Sequence, residues 1–215
     1  MAIVDADVAI RAGWTMVDLA STYLDGGARL LQVRAKQASS AWFLETTSAI
    51  VTLAHQAHAL VIVNDRADIA RLSGADGVHV GQDDLAPAAA RAIVGPAAIV
   101  GVSTHTPEQI DAVAHPAHLE NPVDYVAIGP VFSTATKVTG YDGIGLDRVR
   151  DAAARVRPRG LLLVAIGGIT LETAAEVIRA GASTVAVISD LVATGDPSAR
   201  VRSYLAVLAR TSKSA

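Results

Sequence analysis

The feature that most constrains the fold of this chain is a regular alternation of amphipathic helical segments with short apolar runs. The periodicity predicts helices over residues 15–27, 39–58, 66–73, 85–94, 107–115, 145–156, 171–180 and 198–210. Apolar runs typical of buried strands cover residues 28–34, 59–63, 76–80, 98–103, 124–130, 161–168 and 183–189. Strands that alternate with helices need crossover connections, so they predict a parallel sheet of the α/β class.

The number of strands decides between two architectures. If residues 3–8 supply a short first strand, the count reaches eight and predicts a single (βα)8 TIM barrel. An open doubly wound sheet is the alternative. A chain of 215 residues suits one such barrel. We find no linker, since residues 117–122 read as a loop, and therefore expect one domain over residues 1–215 with a frayed tail at 211–215.

Composition excludes several classes of function. The chain has no cysteine, which excludes disulfides, thiolate metal sites and thiol nucleophiles. A net charge of -3 and 4% aromatic residues give no general signature of nucleic-acid binding. No apolar run approaches the length of about 18 residues that a membrane helix needs. No basic segment precedes an apolar one at the N-terminus, so we expect no secretory signal. We expect a soluble cytoplasmic protein with small-molecule partners, neither nucleic acid nor membrane; a homo-oligomer is left open.

Cationic and amide side chains follow the first long apolar run. Gln32, Arg34 and Lys36 share one face of the strand, because successive side chains of a strand point to opposite sides. A paired Arg and Lys is suited to a phosphate, and a barrel carries its chemistry at the carboxyl ends of the strands. The alternative is a strand that runs out onto a solvated edge.

Two carboxylates follow adjacent strands. Asp65, beside Asn64, and Asp84 come after neighbouring apolar runs, so their side chains can approach each other. Carboxylate oxygens without nearby His or Cys suit Mg²⁺, which shares its coordination with water and substrate phosphate. Each residue taken singly could instead cap the helix that follows it. As a pair facing Arg34 and Lys36, they favour the metal interpretation.

A second anion site is predicted on the later strands. Hydroxyls and an ammonium recur at Thr134, Thr136 and Lys137, which fits phosphate oxygens. Gly168 and Ser189 lie in the turns where barrels hold a phosphate through backbone N–H groups, although a Gly-Gly pair is also ordinary turn chemistry. Two anion sites of different kinds indicate a transferase that joins two phosphorylated substrates.

The histidines are less informative. Alternation predicts that His79 points into the barrel, where it could be a satisfied core residue or a substrate contact. The role of His105 is left open. No Ser-His-Asp arrangement is evident from spacing, so the residues do not support nucleophilic catalysis.

Taken together, these motifs resemble thiamine phosphate synthase. The resemblance covers residues 28–190 in order, through segments 32–36, 64–66, 77–84, 101–103, 129–137, 167–169 and 188–189. It implies a TIM barrel that condenses 4-amino-2-methyl-5-hydroxymethylpyrimidine diphosphate with 4-methyl-5-(2-hydroxyethyl)thiazole phosphate, giving thiamine phosphate and diphosphate. The start departs from the family pattern, because the first strand is short.

The resemblance also implies roles for individual residues. Asp65 and Asp84 would bind Mg²⁺ on the diphosphate, helped by four further residues, Arg34, Lys36, Asn64 and Lys137. Gln32 and Ser103 would hold the pyrimidine. The thiazole phosphate would lie against Thr134, Thr136, Gly168, Ile188 and Ser189. The alternatives are a thiazole tautomerase-like paralogue, for which we would expect loss of the Asp pair or of the Gln32 and Arg34 face, and a thiamine phosphate-binding regulator.

Overall fold

The structure, a computed structural model, describes residues 1–114, 122–133 and 142–212 of the chain. The described residues form eight strands, β1 (Ala2–Asp5), β2 (Leu30–Arg34), β3 (Leu60–Asn64), β4 (Gly77–Val80), β5 (Ile99–Thr104), β6 (Tyr125–Ile128), β7 (Leu162–Ile166) and β8 (Thr184–Ala186). Nine α-helices accompany them, α1 (Ala6–Arg11), α2 (Met16–Asp25), α3 (Ser40–Gln56), α4 (Ala67–Ser73), α5 (Pro87–Val94), α6 (Pro107–Val113), α7 (Gly145–Val156), α8 (Leu171–Arg179) and α9 (Pro197–Ser212). Short 3₁₀ turns cover Arg157–Arg159 and Ser189–Leu191.

The strands form one parallel sheet in sequence order from β1 to β8. The sheet closes through the residue after β8: Ile3 N–H donates to the Val187 carbonyl at 3.0 Å, and Val187 N–H donates to the Met1 carbonyl at 3.1 Å. The predicted (βα)8 barrel is therefore confirmed and the open sheet is rejected. Closure also satisfies the backbone groups that edge strands would leave unpaired.

The first strand is short, as predicted, but its end was predicted wrongly. We expected a strand over residues 3–8, whereas β1 ends at Asp5 and α1 begins at Ala6. The Asp5 carboxylate accepts the Val8 backbone N–H at 3.0 Å and so caps α1. An acidic N-cap stabilises the first turn of a helix, and here it stops the strand.

The other predicted strands and helices are present, with bounds that shift by no more than three residues. Helix α1 was not predicted. Thr211 and Ser212 belong to α9, and residues 213–215 lie outside the described residues, so fraying of residues 211–215 stays a prediction. The assignment of residues 1–215 to a single domain also stays a prediction.

The barrel interior is divided into two walls of different chemistry. Inward side chains of β1 and β6–β8 form an apolar cluster, Ile3, Tyr125, Ala127, Val164 and Ala186. The inward side chains of β2–β5 instead include four polar groups, Gln32, Asn64, His79 and Ser103. The valines and leucines that alternate with them face the helices and fill the larger core.

None of the helices in the described ranges combines the length and the apolar content needed to cross a bilayer.

Glycine at the start of β4 permits close approach of β5, and this makes a stability prediction. A Cβ at Gly77 would lie 2.1 Å from the Ile99 carbonyl oxygen, whereas one at Gly74 would meet nothing within 4 Å. Gly74 has a φ of 73°, so Gly74→Ala should cost only the left-handed strain of about 1–2 kcal/mol. We expect Gly77→Ala to lower the free energy of unfolding more, by about 3 kcal/mol or more, because backbone must move. Urea unfolding monitored by circular dichroism would measure both; equal losses would contradict the close approach.

Candidate active site

A cavity of about 450 Å³ opens inside the barrel and among the loops after the strands. Eight predicted site residues line it: Gln32, Arg34, Asn64, His79, Ser103, Gly168, Ile188 and Ser189. Three others, Lys36, Asp65 and Asp84, lie in the segments that follow β2, β3 and β4. The remaining three, Thr134, Thr136 and Lys137, lie outside the described residues.

His79 is a satisfied core residue that also lines the cavity, and its contact with substrate stays a prediction. Its Nδ1 lies 2.9 Å from the Tyr125 hydroxyl and its Nε2 lies 2.8 Å from the Ser103 hydroxyl. The His79 and Tyr125 rings stack with centroids 5.5 Å apart. Gly101 makes room for this arrangement, since a Cβ there would lie 2.0 Å from Cζ of Tyr125. Burial raises the pKa of the Tyr125 hydroxyl, which keeps it neutral.

Arg34 projects into the cavity from a buried ion pair. Its guanidinium contacts the Asp5 carboxylate, and the Arg34 and Asp5 side chains are 13% and 3% exposed. A solvated edge would leave both groups in water, so this alternative is rejected. On the same wall, Gln32 is buried and its amide nitrogen lies 3.7 Å from the Met1 sulfur.

The predicted carboxylate pair forms at the ends of β3 and β4. Lys36 Nζ lies 2.6 Å from an Asp65 oxygen, and Asp84 accepts the Gly81 backbone N–H at 2.8 Å. Burial raises the pKa of the Asp65 carboxyl and Asp84 raises it further, against the lowering effect of Lys36. Asp65 has a φ of 64°, a left-handed conformation that is uncommon for residues other than glycine.

The alternative that these acids are helix caps is rejected. The N-cap residues of α4 and α5 are Arg66 and Ala86, and neither helix has a side-chain cap. Asp65 and Asp84 are therefore held by the Lys36 ammonium, by backbone and by each other.

On the opposite side of the barrel, backbone lines the cavity. Gly167 and Gly168 follow β7 with φ of 98° and 63°. A Cβ at Gly168 would lie 2.7 Å from the Ser133 carbonyl, so glycine lets the loop after β6 lie directly against this turn. Ile188 and Ser189 follow β8, and Ser189 begins a 3₁₀ turn.

Residues in or beside the cavity that were not predicted as site residues include Tyr125, which lines it, and Asp5, which pairs with Arg34. Tyr125 lies in an apolar run whose inward face could not be identified without a register. Asp5 is an acid within the apolar run of residues 3–8, which indicates an interruption of the strand, but we predicted a continuous strand there. His105, whose role was left open, lines the cavity with Nδ1 2.6 Å from the Gly129 carbonyl.

Comparison with known proteins gives a consistent picture. Residues 1–191 match the family of thiamine monophosphate synthases. The chain is 44% identical over 194 residues to the thiamine-phosphate synthase of Koribacter versatilis (strain Ellin345), covering 90% of this chain and 87% of that protein. It is 43% identical over 197 residues to the thiamine-phosphate synthase of Methanoculleus marisnigri (strain ATCC 35101 / DSM 1498 / JR1), covering 92% and 90%.

Comparison of the structure with solved structures also finds a thiamine phosphate pyrophosphorylase. The structure superposes on thiamine phosphate pyrophosphorylase from Pyrococcus furiosus with a TM-score of 0.85 and 28% identity, covering 98% of this chain and 95% of that one. A 3-hexulose-6-phosphate synthase has a TM-score of 0.67 at 18% identity and 96% and 98% coverage, a likeness of fold alone.

The raised pKa of Asp65 predicts a dependence of stability on pH. A carboxyl whose pKa is raised in the folded protein lowers the free energy of unfolding as pH increases from the unfolded-state pKa to the folded-state pKa. In that range the unfolded state loses its proton more readily than the folded state. In EDTA we therefore expect Asp65→Asn to raise the free energy of unfolding at pH 7, with a gain that fades as pH falls. Asn also tolerates the left-handed backbone at this position.

Urea unfolding at a series of pH values would measure this gain. Asp83→Asn is the matched control, since Asp83 is an exposed carboxylate close to Asp84 in the chain. A loss of stability in Asp65→Asn at pH 7 that shrinks as pH falls would instead show that the pair with Lys36 outweighs burial, because that pair exists only while Asp65 is ionised.

Proposed function

The chain belongs to the thiamine monophosphate synthase family, and from this premise we propose the reaction it catalyses. It joins 4-amino-2-methyl-5-hydroxymethylpyrimidine diphosphate to 4-methyl-5-(2-hydroxyethyl)thiazole phosphate and yields thiamine phosphate and diphosphate. The observation that carries the proposal is the pairing of Asp65 with Lys36 and Asp84 beside a cavity whose far side is lined by the glycine turn after β7. Strands β3 and β7 are four places apart in a barrel of eight, so the two substrates approach from opposite sides.

The carboxylate pair fits Mg²⁺. Asp84 raises the pKa of the partly buried Asp65 carboxyl, so a nearby cation would stabilise this pair, and carboxylate oxygens are preferred ligands of Mg²⁺. In the described ranges no group of three or more His, Cys, Asp or Glu residues could hold a metal. The ion would therefore complete its coordination with water and substrate diphosphate, as Mg²⁺ commonly does. When bound, Mg²⁺ neutralises diphosphate oxygens and so improves the leaving group.

The protein's own cationic side chains also stabilise the departing diphosphate. We assign Arg34 and Lys36 to the diphosphate, with Asn64 and Lys137 as further donors. As the C–O bond breaks, its electron pair leaves with the diphosphate, and fixed cations stabilise the charge that develops. Asp5 keeps Arg34 directed into the cavity, because their ion pair is buried.

The pyrimidine ring would occupy the polar wall. Gln32, His79 and Ser103 present an amide, an imidazole and a hydroxyl there, and Tyr125 supports the imidazole. The facing apolar wall of Ile3, Ala127, Val164 and Ala186 excludes water from the cationic methylene carbon that ionisation leaves.

The thiazole phosphate would be held by the backbone side of the cavity. We assign its phosphate to Gly168, Ile188 and Ser189, together with Thr134 and Thr136. Holding the phosphate places the thiazole nitrogen to donate its lone pair to the methylene carbon, which forms the new C–N bond. No residue needs to form a covalent intermediate.

The test of the proposal is diphosphate release by the purified chain, with each substrate and Mg²⁺ omitted in turn. Release that requires all three, with thiamine phosphate formed in equal amount, supports the synthase. Tight thiazole phosphate binding without release would instead favour the tautomerase-like alternative. Mg²⁺-independent binding of thiamine phosphate without turnover would favour the regulator.

Loss of a carboxylate at the proposed metal site should reduce turnover at a fixed Mg²⁺ concentration. We expect Asp65→Asn and Asp84→Asn to lower kcat by about 100-fold or more, since each removes a direct ligand and weakens the stabilisation of the leaving diphosphate. Exposed Asp83→Asn is the control and should retain activity. Near-normal turnover of Asp65→Asn with unchanged Mg²⁺ dependence would remove Asp65 from the site.

Lys137→Ala should slow the chemical step and leave thiazole phosphate binding nearly unchanged. A cation that acts on the departing diphosphate contributes mainly in the transition state. Single-turnover measurements would separate the two effects. Fast single-turnover chemistry in the variant would show that Lys137 does not act on the leaving group.

A further inference from the structure

A carboxylate lines the cavity directly beside the proposed phosphate site. Asp190 follows Ser189 in the 3₁₀ turn after β8 and belongs to the cavity lining. Its side chain is only 14% exposed. An uncompensated negative charge there would repel a phosphate monoester, and partial burial would reduce the screening of that repulsion.

Helix α9 supplies the compensation for this charge. Arg200 makes a forked contact with Asp190, with Nε and Nη2 at 3.1 and 2.9 Å from the two carboxylate oxygens. The Tyr204 hydroxyl donates to the same carboxylate at 2.5 Å. The Arg200 guanidinium also lies over the Tyr204 ring, 5.9 Å from its centroid. Bidentate Arg–carboxylate pairs are among the stronger charge-assisted hydrogen bonds.

The same helix also contacts the other half of the predicted phosphate site. The Tyr204 hydroxyl lies 3.4 Å from the carbonyl of Ile169, which directly follows Gly168. Glu172, on α8, lies 3.6 Å from Arg200. Helix α9 therefore joins the turns after β7 and β8. Asp190, Arg200 and Tyr204 are not among the predicted substrate contacts.

We infer that Arg200, supported by Tyr204, is a positioning residue for the thiazole phosphate. It neutralises Asp190 and fixes the turn that carries Ser189, so that backbone donors meet the phosphate without a facing negative charge. The inference rests on the proposed function, since it assumes a monophosphate at this site. It predicts that loss of Arg200 damages monophosphate binding selectively, because the diphosphate site lies across the barrel.

Steady-state kinetics of Arg200→Ala would test it. We expect the KM for thiazole phosphate to rise about tenfold or more, the consequence of leaving a partly buried carboxylate unpaired. The KM for the pyrimidine diphosphate and kcat at saturation should stay within about twofold, a split that general loss of structure would not give. Arg202→Ala is the matched control, because Arg202 is an exposed arginine on the same helix that contacts Ser198.

The double variant distinguishes charge from packing. If Arg200→Ala acts by exposing the Asp190 charge, then adding Asp190→Asn should recover most of the lost affinity. Arg200→Lys should fall between the wild type and Arg200→Ala, because Lys keeps the charge but not the fork. No recovery in the double variant, or an equal rise of both KM values, would overturn the inference.

A binding measurement separates this inference from the proposed function. Calorimetric titration of thiazole phosphate into the wild type, Arg200→Ala and the double variant needs no turnover. If the wild type forms no thiamine phosphate but the same order of affinities appears, the synthase proposal fails and the Arg200 inference stands. Equal affinities in all three proteins would overturn the inference whatever the activity.

Discussion

Closure of the parallel sheet is the constraint on which the rest of the structure depends. The hydrogen bonds of Val187 with Ile3 and Met1 join the two ends of the sheet and give it an inside. Only in a closed sheet do inward residues of β2 and β7 become walls of one cavity. The short first strand is sufficient because two backbone hydrogen bonds and the Ile3 side chain complete the apolar wall. Asp5 then ends β1 and holds Arg34 at the end of the neighbouring strand β2.

The division of the interior into a polar and an apolar wall follows from which strands carry polar inward residues. His79 connects the two, because its imidazole meets Ser103 on the polar side and Tyr125 on the apolar side. Gly101, opposite Tyr125 in the sheet, leaves the space that the phenol ring fills. A reaction that passes through a cation needs both properties, hydrogen bonds to orient a polar ring and a water-poor surface beside the reactive carbon.

Charge compensation is a common theme around this cavity. Three carboxylates of the described residues, Asp5, Asp65 and Asp190, each contact a cation, Arg34, Lys36 and Arg200 respectively. A site for two anionic substrates would otherwise be opposed by its own acids. The pairs differ in consequence: the Asp5 pair is buried and fixed, the Asp65 pair stands at the proposed metal site, and the Asp190 pair is carried by the last helix.

The sequence by itself determined the order of the strands and of the helices other than α1, the barrel, and eight of the residues that line the cavity. It could do so because helical and strand periods differ, and because barrel chemistry collects after strands, so that Gln32, Asn64 and Ser189 could be recognised. Tertiary structure alone decided contacts between residues distant in the chain. The Tyr125 to His79 contact depends on strand register, and the Arg200 to Asp190 contact depends on where α9 packs. Neither depends on a local period, and side-chain pairing of this kind is fixed only when the closed sheet brings the elements together.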